Sequence, residues 1–292
     1  MVNNFNIAEH FVRIVFSDTS ENDMQLLPSF HPFRSEATNE LPLFTLTVDD
    51  TLRPAKEKTL IRKFDTGNGD TIVHQLPDGG YQFIIKDIYS RECCLLICRN
   101  NFTDCICALN GDWVMRSFGL NDALMLIFAF AGAFHDTILI HASCVSHGGK
   151  AYPFTAKSGT GKSTHSSLWM KYIEWTELMN DDNPIIRLID GKPYVFGSPW
   201  SGKTPCYRNV KKPLGAVVQI ERSDKNYTER LSVVSSFATL LPACSSMKWD
   251  PTLYDKLCQI LTNIIGTTPI FVMHCLPDRE AAIVCHQNIT SI

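Results

Sequence analysis

Residues 156–163 read AKSGTGKS, residue types and a spacing suited to holding phosphate. Gly159 and Gly161 permit a tight turn whose N–H groups can approach an anion. Lys162 supplies a point charge for the outer phosphates and Ser163 a hydroxyl for Mg²⁺. A bound triphosphate also needs hard oxygen ligands for its metal, and the adjacent carboxylates Asp181 and Asp182, eighteen and nineteen residues after Ser163, are the nearest donors. Neighbouring residues at a strand end point to opposite sides, so one carboxylate can serve the metal while the other accepts a proton from an attacking hydroxyl. Lys203, in the loop SPWSGK at 198–203, is a mobile cation able to neutralise charge developing on the γ-phosphate, with Arg208 and Arg222 as weaker candidates of the same kind.

These residues need elements to position them. A short apolar run at 151–155 suits a strand and 162–171 a helix, which gives the strand, glycine loop, helix order that phosphate binding requires. The helix start adds a positive end to the loop. Upstream, 138–145 reads as a strand carrying His141, and His147-Gly148-Gly149 as the turn into the loop strand. Delivery of the loop by a hairpin differs from the usual βαβ crossover. Downstream, strands are expected at 176–180, 184–188, 194–197, 214–221 and 270–275, with helices at 235–241, 251–265 and 278–286.

The N-terminal part is different in character. Alternating or apolar runs at 12–16, 44–48, 71–75, 81–85, 94–98 and 104–108, punctuated by turns at 78–80 and 99–101, predict an antiparallel β-rich portion. Residues 29–41, rich in mixed polarity and flanked by proline, read as loop. Asn121 reads as the N-cap of a buried apolar helix over 122–134. The boundary falls near residue 115, giving a β-rich domain at 1–115 and a phosphate-loop domain at 116–292. The five cysteines at 93, 94, 98, 105 and 107 lack a CxxC pair and read as buried thiols rather than metal ligands.

Composition narrows the partners. The 292 residues carry a formal net charge of −3, with 45% hydrophobic and 20% charged residues. Basic runs do not exceed two residues, so no electrostatic footprint for nucleic acid is expected. Eleven cysteines in a long chain with no secretory leader pattern imply reduced thiols and a cytoplasmic setting. The apolar run at 123–134 is too short to span a bilayer, so no membrane partner is expected.

The order of His141, a hairpin, SGTGKST at 158–164 and then the Asp181-Asp182 pair resembles the HPr kinase/phosphorylase family, whose loop fold is shared with the phosphoenolpyruvate carboxykinases. The resemblance covers about residues 138–222. It implies an α/β fold with a carboxykinase-like, mixed-sheet loop domain behind the β-rich portion, and an ATP- and Mg²⁺-dependent transfer of the γ-phosphoryl to a hydroxyl. It implies that Ser158, Gly159, Thr160, Gly161, Lys162, Ser163 and Thr164 cradle the nucleotide phosphates, with Ser163 also at the metal, that His141 lies near the transferred phosphoryl, and that Asp181 and Asp182 match the family's acidic pair, in which we assign Asp181 as base and Asp182 to the metal side. Thr164-His165 stands where the kinases are usually acidic, and Pro199-Trp-Ser-Gly-Lys203 stands in place of the arginine-glycine signature that follows their acidic pair, so the acceptor is left open among a protein, a peptide and free serine. Homo-oligomerisation is a further expectation. The rival reading is an ATP-holding regulatory or assembly module that transfers nothing.

Overall fold

The computed structural model describes residues 1–65, 69–99, 101–157 and 159–291. It is an α/β chain with mixed sheets and a β-rich N-terminal region, and it divides into two compact units, Met1–Gly132 and Ala133–Ile292.

In the first unit, β1 (Val2–Ile7), β2 (His10–Phe16), β3 (Phe44–Val48) and β4 (Thr59–Asp65) are followed by β5 (Asp70–Gln75), β6 (Tyr81–Lys86), β7 (Glu92–Cys98) and β8 (Asp104–Leu109). They form one sheet in the order β1-β2-β3-β8-β7-β6-β5-β4. All six strands expected from alternation are present; β1 and the exposed β4 carry too little apolar periodicity to be read. The sheet is not wholly antiparallel, because β3 runs parallel to both β2 and β8. The long stretch between β2 and β3 supplies the crossover that a parallel pair requires, and within it Pro28–Phe33 forms a short 3₁₀ helix where loop was expected.

Helix α1 (Trp113–Ala133) starts nine residues earlier than the sequence suggests. Its cap is Asp112, whose side chain accepts from the Met115 N–H at 3.0 Å. Asn121 is instead inside the helix, donating to Ser117 O at 2.9 Å. Gly119 lets the helix lie close on β7, where an added Cβ would come within 2.8 Å of Cys93 O. Phe130 packs on Phe83 and Phe102 and Phe128 on His10. By length and composition α1 is apolar enough to cross a membrane, but Leu120, Ala123, Leu124, Ile127 and Phe128 are spent in the core of this unit. The cysteines at 93, 94, 98, 105 and 107 are all buried.

The second unit begins with β9 (Thr137–Leu139), the hairpin of β10 (Ala142–His147) and β11 (Lys150–Thr155), and helix α2 (Lys162–Tyr172). Then come β12 (Glu177–Asp182), β13 (Ile185–Ile189), β14 (Lys192–Phe196), β15 (Lys211–Pro213), β16 (Val217–Arg222) and β17 (Tyr227–Arg230). Helices α3 (Val233–Ala243) and α4 (Pro251–Thr267), strand β18 (Ile270–Cys275) and helix α5 (Arg279–Thr290) complete it. The main sheet has the order β12-β10-β11-β16-β18-β17 and a smaller one the order β15-β14-β13-β9. The expected single strand at 138–145 is therefore two, belonging to different sheets, and His141 sits in the break between them rather than on a strand.

Strand alternation assigns the two faces of the main sheet. Tyr152, Phe154, Val218 and Ile220 meet Trp169 of α2 and Ala281, Ala282 and Cys285 of α5. Ala151, Val217 and Ile270 point the other way, into a core with Ile186 and Val195 of the small sheet and Leu240, Leu257 and Ile264 of α3 and α4. The loop strand β11 and its neighbours β16 and β18 run parallel, so their carboxyl ends share one edge, the place where open α/β sheets gather ligands.

Candidate functional site

The loop between β11 and α2 lies at that edge. Gly159 has φ of 75° and Gly161 of 131°, conformations that a side chain would strain. A Cβ built on Gly159 meets nothing within 4 Å, so the space it would fill is open. Arg222, the last residue of β16, reaches across and donates from Nη2 to Gly159 O at 2.7 Å and from Nε to Thr160 O at 3.2 Å. Holding those carbonyls outward fixes the turn in which successive N–H groups can face an anion. From sequence this arginine is a weaker candidate cation for the γ-phosphate; its contact with the loop carbonyls could not be read, because it depends on β11 and β16 being neighbours. Arg222→Ala should weaken MgATP binding about ten-fold while shifting the melting temperature little, since each lost bond is worth about 1 kcal/mol and lies at the surface. Titration calorimetry beside a thermal melt checks both halves.

Two hydrogen-bonded chains join the loop to the acidic pair. Ser163 Oγ donates to Asp181 Oδ1 at 2.8 Å. Lys162 Nζ lies 2.8 Å from His141 Nε2, and His141 Nδ1 lies 3.0 Å from Asp182 Oδ1. An ammonium can only donate, so Nε2 accepts, the ring proton sits on Nδ1, and that proton is given to Asp182. Burial pulls the Lys162 ammonium below the usual lysine range, while Asp182 and Asp181 act in the opposite direction. The residues 141, 162, 163, 181 and 182 singled out from the sequence are thus in one cluster.

The two carboxylates differ in setting. Asp181 is 3% exposed and its carbonyl receives the Gly202 N–H and the Ser201 hydroxyl. Asp182 is more open, with 30% of its side chain accessible, and its backbone is turned to φ of 143°. Such a backbone is costly for a non-glycine residue, by about 1–3 kcal/mol, and is held here by the Ser201 bridge and by Asn183 Nδ2 on Asp182 Oδ2 at 2.8 Å. Behind them the buried Asn180 amide donates to Ser198 Oγ and Trp200 O, tying the strand end to the 198–201 loop. Trp200 is a buried packing residue in that loop.

Of the other expected residues, Thr160 and Thr164 line a cavity beside the loop. Ser158 lies outside the described residues. Lys203 is exposed and follows Gly202, which abuts the acidic pair, but its ammonium is not among the contacts that build the cluster.

Two cavities flank the loop. One, of about 410 Å³, opens between α2 and the ends of β16 and β18. The other, of about 560 Å³, is lined by His141, Thr155, Lys157, Gln219, Thr239 and Pro242 on the opposite side. The loop with Lys162 separates them, an arrangement that can seat a donor on one side and an acceptor on the other.

His165 on α2 is a buried neighbour with a separate consequence. Its Nε2 accepts from Trp169 Nε1 at 3.2 Å and its ring packs edge-on to Phe154, and burial pushes the imidazole down to about 4. The unfolded chain takes up this proton near pH 6.5 but the folded chain only near pH 4, so protonation between those values favours unfolding. Stability should fall by on the order of 3 kcal/mol from this group as pH drops from 7 to 4. Urea melts of His165→Gln against the parent at both pH values isolate that slope.

No family model and no curated protein matches the chain. Among solved structures it is similar to the Hpr(Ser) kinase/phosphatase from Coxiella burnetii, at 9% identity and a TM-score of 0.33, over 52% of this chain and 88% of that one. A likeness of that size carries no argument, and the reading of the site rests on its own geometry.

Proposed function

We propose that the second unit is an ATP- and Mg²⁺-dependent phosphotransferase that passes the γ-phosphoryl to a hydroxyl, a serine in a protein, a peptide or the free amino acid. The observation that carries this reading is the double link between loop and acidic pair: Ser163 to Asp181 directly, and Lys162 to Asp182 through His141. A glycine turn with no function would have no need of both.

The residues fit the ion that such chemistry uses. The Ser163 hydroxyl and the Asp181 carboxylate are hard oxygens already side by side at the loop, and magnesium held there would neutralise charge on the phosphate oxygens. The hydrogen bonds favour the reverse of the division assigned from sequence alone. Asp181, buried and bonded to the loop serine, takes the metal side. Asp182, more open and oriented by His141, accepts the proton of the acceptor hydroxyl. Lys162 leaves His141 to donate to the triphosphate, and the partly buried site makes each such contact stronger than in water. His141 orients Asp182, and Lys203, exposed in the loop after Gly202, is the further cation that this reading brings to the moving group.

One observation favours the rival class. The covered Asp181 is what a nucleotide-holding module without transfer would also show. Incubation with γ-labelled ATP and Mg²⁺, on serine, on a peptide library and on the protein itself, separates the two. The proposal expects label on an acceptor hydroxyl that disappears in Lys162→Ala; tight ATP binding with no label on any acceptor favours the module.

A further inference from the structure

The smaller of the two cavities opens directly from the phosphate loop: Gly159, Thr160 and Gly161 form one end, and Leu168, Ile220 and Pro277 belong to its apolar walls. At about 410 Å³ it falls within the range of small-ligand sites. A bare polyphosphate needs no such slot. An apolar cavity that continues from a phosphate loop suits the nucleoside end of a nucleotide.

His165 is part of the same wall, and one side of its ring is already committed. The indole N–H of Trp169, a group that can only donate, meets His165 Nε2 at 3.2 Å. Nε2 therefore accepts, and in the neutral imidazole the ring proton is on Nδ1. Burial keeps the ring neutral near pH 7, since it pushes the imidazole down to about 4. The Nδ1–H is thus a donor in a residue only 2% exposed, and it has no hydrogen-bond partner among the described residues. Buried donors are almost always paired, because one left unmade has given up its hydration without return. Trp169 stands in the core behind the wall and does not line the cavity, so of the two ring nitrogens only Nδ1 is left to serve an occupant. Two further polar groups lie in this wall, nearer solvent. Arg222 has Nη1 left over once Nη2 and Nε hold the loop carbonyls, and the Ser223 hydroxyl meets Asp224 Oδ1 only at a long 3.5 Å.

We propose that this cavity holds the nucleoside of the donor triphosphate and that His165 binds its base, the Nδ1–H donating to a ring nitrogen or carbonyl oxygen of that base. Every nucleobase carries such an acceptor on its edge. Arg222 and Ser223 supply further polar groups at the wetter part of the same wall. The proposal rests on the phosphotransferase reading only for the loop's role in binding phosphate.

Nuclear magnetic resonance of protein with isotope-labelled histidines reads the Nδ1–H directly, and titration calorimetry beside it reads affinity for the magnesium complexes of ATP and inorganic tripolyphosphate. The expected result is a His165 proton on Nδ1 whose resonance moves downfield and exchanges more slowly with water when MgATP binds, and does neither with tripolyphosphate. His165→Phe should weaken MgATP by about ten-fold and leave tripolyphosphate within about two-fold of the parent, which also shows that the variant folds. Should the loss of Trp169's acceptor unfold that variant, the spectra of the parent decide alone. A proton on Nε2, a resonance that MgATP leaves unmoved, an equal response to both ligands, or a folded His165→Phe that binds MgATP like the parent would overturn the proposal with the loop's role intact. Binding of neither ligand in a Lys162-dependent manner would overturn it together with the phosphotransferase reading.

Discussion

Lys162→Ala should abolish measurable phosphoryl transfer, with a loss of about 10³-fold in turnover and a weaker but clear loss of MgATP affinity. Two effects combine. The ammonium is the side-chain cation at the start of α2 for the outer phosphates, and a preorganised donor of this kind is worth about 10²–10³ in rate. Removing it also frees His141 Nε2, which then has no partner at 2.8 Å and no longer keeps its proton on Nδ1 for Asp182. Lys162→Arg would keep the charge but not the point geometry, and should recover only part of the loss. Steady-state transfer from labelled ATP, paired with calorimetry for affinity, reads both quantities. A variant with turnover near the parent would show that this amine is a structural partner of the histidine and nothing more.

Asp182→Asn should lower turnover by about 10³-fold and leave MgATP affinity within a few-fold of the parent. The amide is nearly isosteric and can still meet His141, but it cannot take a proton from the acceptor hydroxyl, a contribution of about 10²–10⁴. The split between turnover and affinity is what distinguishes a base from a ligand of the nucleotide. Loss of affinity with turnover per bound ATP unchanged would return the base role to Asp181, where the sequence alone had put it.

The site was legible in the chain to the extent that its chemistry is local. A glycine turn, a lysine and a hydroxyl must be consecutive to surround one phosphate, so residues 159–163 could be read directly, and the strand and helix around them follow. The carboxylates could be found because they end a short apolar strand soon after the loop. Their division of labour could not, because it depends on which neighbour each one meets: Ser163 in the first turn of α2 for one, His141 in the gap between β9 and β10 for the other. That gap is itself invisible, since Ile138, Leu139, Ile140 and Ala142 are all buried and present one unbroken apolar run to either side of the histidine. Arg222 could be named only as a weaker candidate cation; its grip on the loop carbonyls was beyond reach, being set by a parallel pairing between strands some sixty residues apart.

The N-terminal unit follows the same logic. Six strands announced themselves by alternation, and β4 did not, because its residues are almost all exposed and no apolar face marks them. Parallel pairing of β3 with β2 and β8 is a property of long crossovers, which single-strand periodicity does not encode. Helix α1 was foreshortened because its first turn, with Trp113 and Val114 exposed, lacks the buried stripe that marks the rest.

The central claim is that the loop and the carboxylate behind it converge on one metal-bound triphosphate. Its most direct measurement is ATP affinity with and without Mg²⁺, in the parent and in Asp181→Asn. The account predicts that Mg²⁺ tightens ATP binding by at least about ten-fold in the parent and by little in the variant, the difference being a lost charged oxygen ligand. Equal Mg²⁺ enhancement in both proteins would contradict it.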